Sequence, residues 1–208
     1  LEVIFFKNVE KMKNKILIPF LLLNSIFLFS QEKEDLFILK TDTTWGKELF
    51  QFPLGFAPEI NFEGIEDARF PAGWGKIDSS TFWSYVFAWN INLNALITEK
   101  ELENNLQIYF DGLMNAVNKD KEIEVPNTVV LFLKKEVSGS RAEFIGKVRV
   151  YDSFRTKKMM TLNVQVTQDY CEIKNKSIII FRFSPKGFGD EVWQQLERVN
   201  LRANACDL

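Results

Sequence analysis

Histidine is absent from all 208 residues, and with it go the usual proton acceptor of serine and cysteine hydrolases and the commonest zinc ligand. Cysteine occurs only twice, as Cys171 and Cys206. Two distant thiols without a histidine make a poor ligand set, so no metal site is expected. The chain also lacks a phosphate loop, a dinucleotide fingerprint and a nucleophile elbow. Gly73-Trp74-Gly75 is missing the third glycine, the preceding strand and the following helix that such a site requires, and it reads as a turn around a buried ring. A basic excess is missing too. The 26 Lys and Arg against 28 Asp and Glu give a formal net charge of −2, which offers polyphosphate no electrostatic hold, so nucleic acid is not an expected partner. The densest positive stretch, Arg149, Arg155, Lys157 and Lys158, is broken by Asp152 and reads as a solvated hairpin tip. No cofactor and no catalytic residue is assigned.

One long apolar run is present, from Ile16 to Phe29. Lys13 and Lys15 precede it, and small Ser30 and polar Gln31 follow. That is the layout of a secretory signal, a basic start and a short apolar middle ending in a small residue at the cut. The rival reading, an uncleaved anchor, needs about 20 apolar residues, and Pro19 and Asn24 interrupt this shorter run. The expected organisation is therefore residues 1–11 as an upstream misreading of the frame, 12–30 as a signal peptide and 31–208 as a single α+β domain. No stable membrane span remains after cleavage, and the product is periplasmic or secreted. An oxidising compartment allows Cys171 and Cys206 to bridge, which would tether the last helix to the sheet and contribute about 2 to 4 kcal/mol.

Periodicity supplies the fold class. From Phe82 to Leu93, the residues Trp83, Tyr85, Phe87, Trp89, Ile91 and Leu93 alternate with Ser84, Val86, Ala88, Asn90 and Asn92. This predicts a strand with six large side chains on the core face and a partly polar, partly wet opposite face. Thr98 and Glu101 form a capping box, with Ile97 and Leu102 as a hydrophobic staple, ahead of a helical stripe from Leu102 to Val117. Gly112 within it marks an expected close approach of helix to sheet. Strands are predicted at 45–52, within 61–75, and at 128–134, 142–151, 159–167 and 177–183. Asp190 is the expected cap of a last helix carrying Val192, Leu196 and Val199. Short polar connections favour antiparallel neighbours. The expected architecture is α+β: a twisted antiparallel sheet of about five to seven strands, largely a meander, with two helices packed on one face.

Function is less legible. Aromatic residues make up 14% of the chain, more than a core of this size needs, and those predicted in loops (Trp45, Phe56, Phe62, Phe70 and Trp74) are candidates to line a groove. The preferred reading is a non-enzymatic binding or interaction module of the bacterial cell envelope, whose partner is an envelope protein, a glycan or a hydrophobic ligand. Its candidate contacts are Asp67 and Arg69 as polar anchors with Phe70 and Trp74 beside them. An alternative is a carboxylate-dependent, glycosidase-like hydrolase using acids among Glu59, Glu63, Glu66 and Asp67, with Asp111 as a further acid. A third reading, a structural piece of an envelope assembly, predicts a flat exposed apolar surface.

Overall fold

Among the described residues, alternating apolar and polar residues build nine strands, and two helical stripes interrupt them. The computed structural model describes residues 36–118, 123–203 and 205–207; the expected signal at 12–30, the residues ahead of it and the lead-in at 31–35 lie outside the described residues. Ile38–Leu208 is one compact unit. In chain order its elements are β1 (Leu39–Lys40), β2 (Gly46–Gln51), β3 (Gly64–Phe70), β4 (Tyr85–Ile91), α1 (Glu99–Asn118), β5 (Val129–Ser138), β6 (Arg141–Tyr151), β7 (Met159–Cys171), a single 3-10 turn at Glu172–Lys174, β8 (Lys176–Ser184), α2 (Glu191–Glu197) and β9 (Asn200–Leu201).

Seven strands form one antiparallel sheet in the order β2-β3-β4-β8-β7-β6-β5, and β1 pairs with β9 apart from it. The fold is α+β, as expected. The sheet is two meanders, β2 to β4 and β5 to β8, joined along the central pair β4–β8, where Phe87 lies opposite Phe181 and Tyr85 opposite Phe183. The helix α1 carries the chain from β4 at the centre to β5 at the far edge. Its capping box is formed as expected: Thr98 N donates to Glu101 Oε2 at 2.8 Å and Glu101 N donates to Thr98 Oγ1 at 3.2 Å, an arrangement worth about 1 kcal/mol. The buried amide of Gln168 fixes the approach to this helix, accepting from Ile97 N at 2.7 Å and donating to Ala95 O at 2.8 Å.

The two helices do not share a face, which corrects the expected arrangement. On one side, Leu102, Leu106, Tyr109, Phe110 and Met114 of α1 pack with Tyr85, Phe87, Trp89, Phe181 and Phe183. On the other, Val192, Trp193 and Leu196 of α2 pack with Val86, Ala88, Ile178 and Ile180. The face of β4 expected to be partly wet is therefore buried: Ser84, Val86 and Ala88 have no exposed surface, and Ser84 Oγ lies 2.8 Å from Ser184 Oγ. The physical reason is that small and β-branched residues leave room for a second layer, which the alternation on one strand does not announce. Arg182, also on this side, donates to Leu196 O at 3.1 Å and Val199 O at 3.0 Å, satisfying carbonyls at the end of α2. Asp190 stands at the cap position of α2, but its side chain makes no capping bond.

Two further expectations change in detail. The strand at 82–93 is shorter, Tyr85–Ile91, and Trp83 precedes it with φ 51 while staying 2% exposed. Gly112 does mark a close approach, yet to the backbone of Phe56 and Ala57 in the β2–β3 loop rather than to the sheet; a Cβ there would run into the Phe56 carbonyl. Cys171 and Cys206 are bridged, with Cα atoms 5.8 Å apart and a sequence separation of 35. Loop-closure entropy puts the contribution at about 4 kcal/mol. The bridge ties the C-terminal segment beyond β9 to the end of β7.

Candidate functional site

Strand register decides which acids meet which rings. Along β3, Glu66, Ala68 and Phe70 point to the α1 side, whereas Ile65, Asp67 and Arg69 point to the α2 side. The partners across β2 and β4 follow, since Glu66 is opposite Phe50 and Trp89, and Ala68 is opposite Glu48 and Phe87. This face opens into a cavity of about 210 Å³. Its floor is buried: Glu66, Ala68, Trp83, Tyr85, Phe87 and Tyr109. Half-buried Phe50, Phe56, Phe70, Trp74, Leu113 and Phe154 form the mouth, with exposed Glu48 among them.

Ring contacts hold the walls. Phe56 meets Phe50 at 6.3 Å and Tyr109 at 5.0 Å, both edge-on. On the other side Phe70 stacks on Tyr85 at 5.7 Å and lies 5.1 Å from Trp74. Phe154 closes this side, 6.0 Å from Trp74 and 5.9 Å from Trp83. Such pairs add about 0.5–1.5 kcal/mol each beyond the area they bury.

Phe154 belongs to the β6–β7 connection, where the sequence pointed to a solvated tip. That connection is built around buried Asp152, whose Oδ1 accepts from Phe154 N and Arg155 N at 3.0 Å and whose Oδ2 accepts from Thr156 N and Oγ1 at 2.6 and 2.8 Å. The carboxylate thus organises the turn that delivers Phe154 to the mouth. The loop carrying Trp74 is equally built. Trp74 N donates to Pro71 O, and Trp83 N returns to Trp74 O at 2.9 Å. Gly73 sits so close to Ser79 and Thr81 that a side chain would collide with their hydroxyls.

Glu66 is the chemical centre of the cavity. It has no exposed surface, and its carboxylate accepts from Trp89 Nε1 at 2.8 Å and from the Tyr109 hydroxyl at 2.9 Å. Burial raises its pKa to about 7; the two hydrogen bonds pull it down, and the charges of Glu48 and Asp67 push it up. Burial, with Glu66 beside them, also holds the Tyr85 and Tyr109 hydroxyls well above the usual tyrosine range, so both remain donors. Trp83 combines three unusual features: it lines the cavity, its backbone is left-handed, and its buried indole N–H makes no hydrogen bond among the described residues. Bulky residues at positive φ are strained and persist where the surroundings over-determine them, often at ligand sites.

Of the four residues expected as contacts, the structure brings Phe70 and Trp74 together in the cavity and places Asp67 and Arg69 behind the sheet. Asp67 is buried, and its Oδ2 accepts from Ile38 N and Leu39 N at 2.8 Å and from Arg69 at 3.0 Å. Arg69 also donates to Leu39 O at 3.1 Å, so the pair clamps β1 onto the sheet. Burial lifts the Asp67 pKa to about 6, against the pull of Arg69 and the two backbone donors. The other acids are dispersed. Glu59 is exposed, Glu63 accepts from Asn92 at 3.2 Å, and Asp111 accepts from the backbone of buried Thr128 at 2.7 Å. Sequence reading missed Glu48, Tyr85 and Tyr109 as cavity groups. For Glu48 the signal is its register with Ala68, which appears only once β2 and β3 are paired.

Away from the cavity, Val129, Leu131 and Leu133 stand exposed on edge strand β5, beside exposed Ile145 of β6. Glu103 of α1 takes Phe132 N of that strand at 3.1 Å, which blunts the edge. Among the described residues no group of three or more His, Cys, Asp or Glu is placed to hold a metal ion, and no helix is long and apolar enough to cross a membrane.

Comparison with protein-family models, with curated proteins and with solved structures gives no match.

Proposed function

We propose that this chain is a binding module of the cell envelope whose cavity takes a small, largely apolar ligand, or one ring-sized part of a larger one. The observation that carries this reading is a ring-lined cavity of about 210 Å³ with a fully buried carboxylate on its floor. An apolar cavity of about 150 Å³ accommodates benzene, so this one suits a ligand of one or two rings or an equivalent aliphatic group. Apolar walls with one or two convergent polar groups are the usual composition of a ligand site. The disulfide and the lack of an apolar spanning helix among the described residues are compatible with export.

The probe for this reading is p-cresol, a single ring with one hydroxyl to meet Glu66. Titration should quench or shift the fluorescence of the tryptophans around the cavity with a millimolar or tighter Kd, and Trp74→Ala should weaken binding about tenfold while leaving the circular dichroism spectrum unchanged. Absence of saturable binding by calorimetry, or equal affinity in Trp74→Ala, counts against the cavity as the site.

One observation favours a hydrolase as a second reading: two carboxyl groups, Glu66 and Glu48, share the cavity, and Glu66 has a pKa of about 7, the range in which a carboxylic acid serves as a proton donor at neutral pH. Under this reading nitrophenyl glycosides would be turned over, and both Glu66→Gln and Glu48→Gln would abolish the release of nitrophenol. No turnover above background across such a panel rejects it.

A further inference from the structure

Resting on the proposed cavity site, we infer that its ligand is an alkylated ammonium cation, of the choline type, held within the ring-lined cavity against the carboxylates of Glu66 and Glu48. The charge pattern of the lining carries this. Two acids and ten aromatic or aliphatic side chains larger than Ala surround the space, and no Lys or Arg is among them. For a neutral apolar ligand, a buried carboxylate at the floor is an energetic liability, because transferring a charge out of water is expensive unless something compensates it. Among the described residues Glu66 has two hydrogen bonds, and the charges that act on it are those of Glu48 and Asp67, both negative. Each oxygen accepts one donor, which leaves further acceptor capacity on a carboxylate that lines the cavity.

A methylated ammonium meets both halves of this environment. Its methyl groups are apolar enough to leave water cheaply, and its charge is attracted to ring faces by about 0.5 kcal/mol at exposed sites and about 2 or more when desolvated. Phe70, Trp74 and Tyr85 form a continuous run of ring contacts at 5.1 and 5.7 Å, and Glu48 at the mouth adds attraction on entry. A primary ammonium or a guanidinium is a worse fit, because its donors need more acceptors than the ring-lined walls supply.

The titratable groups facing Glu66 are Glu48 from β2, Tyr85 from β4 and Tyr109 from α1, and Asp67 acts on it from behind the sheet through its charge alone. The tyrosines stay protonated, so the cation competes with one proton on Glu66. Cation affinity should then rise with pH through about 7, by roughly tenfold between pH 6 and pH 8 for single-proton linkage.

The deciding experiment compares choline with 3,3-dimethylbutan-1-ol, the neutral molecule of the same shape, by calorimetry and proton NMR titration on the intact protein at pH 6 and pH 8. Choline should bind at least tenfold more tightly than the alcohol at pH 8 and lose about tenfold at pH 6, whereas the alcohol changes little. Glu66→Gln should bring choline down to the affinity of the alcohol and leave the alcohol within twofold, with circular dichroism confirming the fold. Glu48→Gln, at an exposed position, should weaken choline by a smaller factor and serves if Glu66→Gln is misfolded. Equal affinities for the two molecules, or choline binding indifferent to both glutamates, overturns the cation inference while leaving the cavity reading intact. Failure of choline, the alcohol and p-cresol alike overturns both.

Discussion

Glu66→Gln should make the protein more stable than the wild type at pH 8, by about 2 kcal/mol, and no more stable at pH 4.5. The folded-state pKa of Glu66 is about 7 against an ordinary 4.5, with burial as the main cause. Between those values the folded chain holds a proton that the unfolded chain has released, so stability falls as pH rises through this window. Below about 4.5 both states are protonated and the group contributes nothing. Above about 7 the full penalty is present, about 3 kcal/mol for a separation of that size. Glutamine cannot ionise, and its geometry keeps the network: its carbonyl accepts from Trp89 Nε1, and its amide donates to a Tyr109 hydroxyl turned to accept. Loss of the charge-assisted bonds takes back part of the gain. Urea unfolding of both proteins from pH 4.5 to 8.5 provides the measurement, and the gap in midpoint should open with rising pH. Parallel profiles would mean that Glu66 is not held in the buried state described.

A fold that tolerates this penalty in its unliganded state holds a charge whose natural relief is a cation, which is why the stability profile and the choline titration belong together. Choline at saturating concentration should flatten the wild-type profile above pH 7, because ligand binding to the folded state offsets the ionisation penalty. In Glu66→Gln there is no such deficit to relieve.

The strand at the heart of the molecule was legible because Tyr85, Phe87 and Trp89 alternate without interruption, and the start of α1 because Thr98 and Glu101 carry a cap that needs no tertiary help. The cysteine pair was legible from compartment chemistry. The site was legible as a neighbourhood, the chain around β3 and the glycine-bearing turn after it, but its polar contacts were not. Glu66 and Asp67 are adjacent in sequence and opposite in space, because a strand sends neighbours to different faces. Grouping them as candidate acids of one site left out that β3 already runs from Gly64. Phe154 lay beyond reach for a different reason: it joins Trp74 and Trp83 from about 70 to 80 residues away along the chain, through a turn whose organiser, Asp152, looked like an interruption in a positive run. The second layer over the sheet was hidden because Val86 and Ala88 suit a buried face and a half-wet one equally well.

The separation of Asp67 and Arg69 from the cavity yields the last test. Arg69→Met should destabilise the fold by about 3 to 5 kcal/mol at pH 7, the range for stranding one member of a buried ion pair, and leave p-cresol or choline affinity within twofold wherever the variant is folded. Asp67 would keep its bonds from Ile38 and Leu39 and the weaker pull of Arg202 but lose Arg69, its main cationic partner, so its pKa would climb further above about 6. The part of the deficit that comes from the stranded charge should grow with rising pH and shrink as acid protonates the carboxylate, vanishing below about 6, where Asp67 is protonated in the folded wild type as well. If Arg69→Met is too unstable to purify, Arg69→Lys keeps the charge while giving up the forked contact to Asp67 and Leu39, and Asp67→Asn with Arg69→Met removes the stranded charge and should recover part of the loss. Trp74→Ala is the mirror case, with binding weakened and stability changed little, since its ring is half exposed at the mouth. A ligand affinity that falls with Arg69 rather than Trp74 would place recognition on the α2 side of the sheet, where the sequence first pointed, and would remove the cavity from consideration.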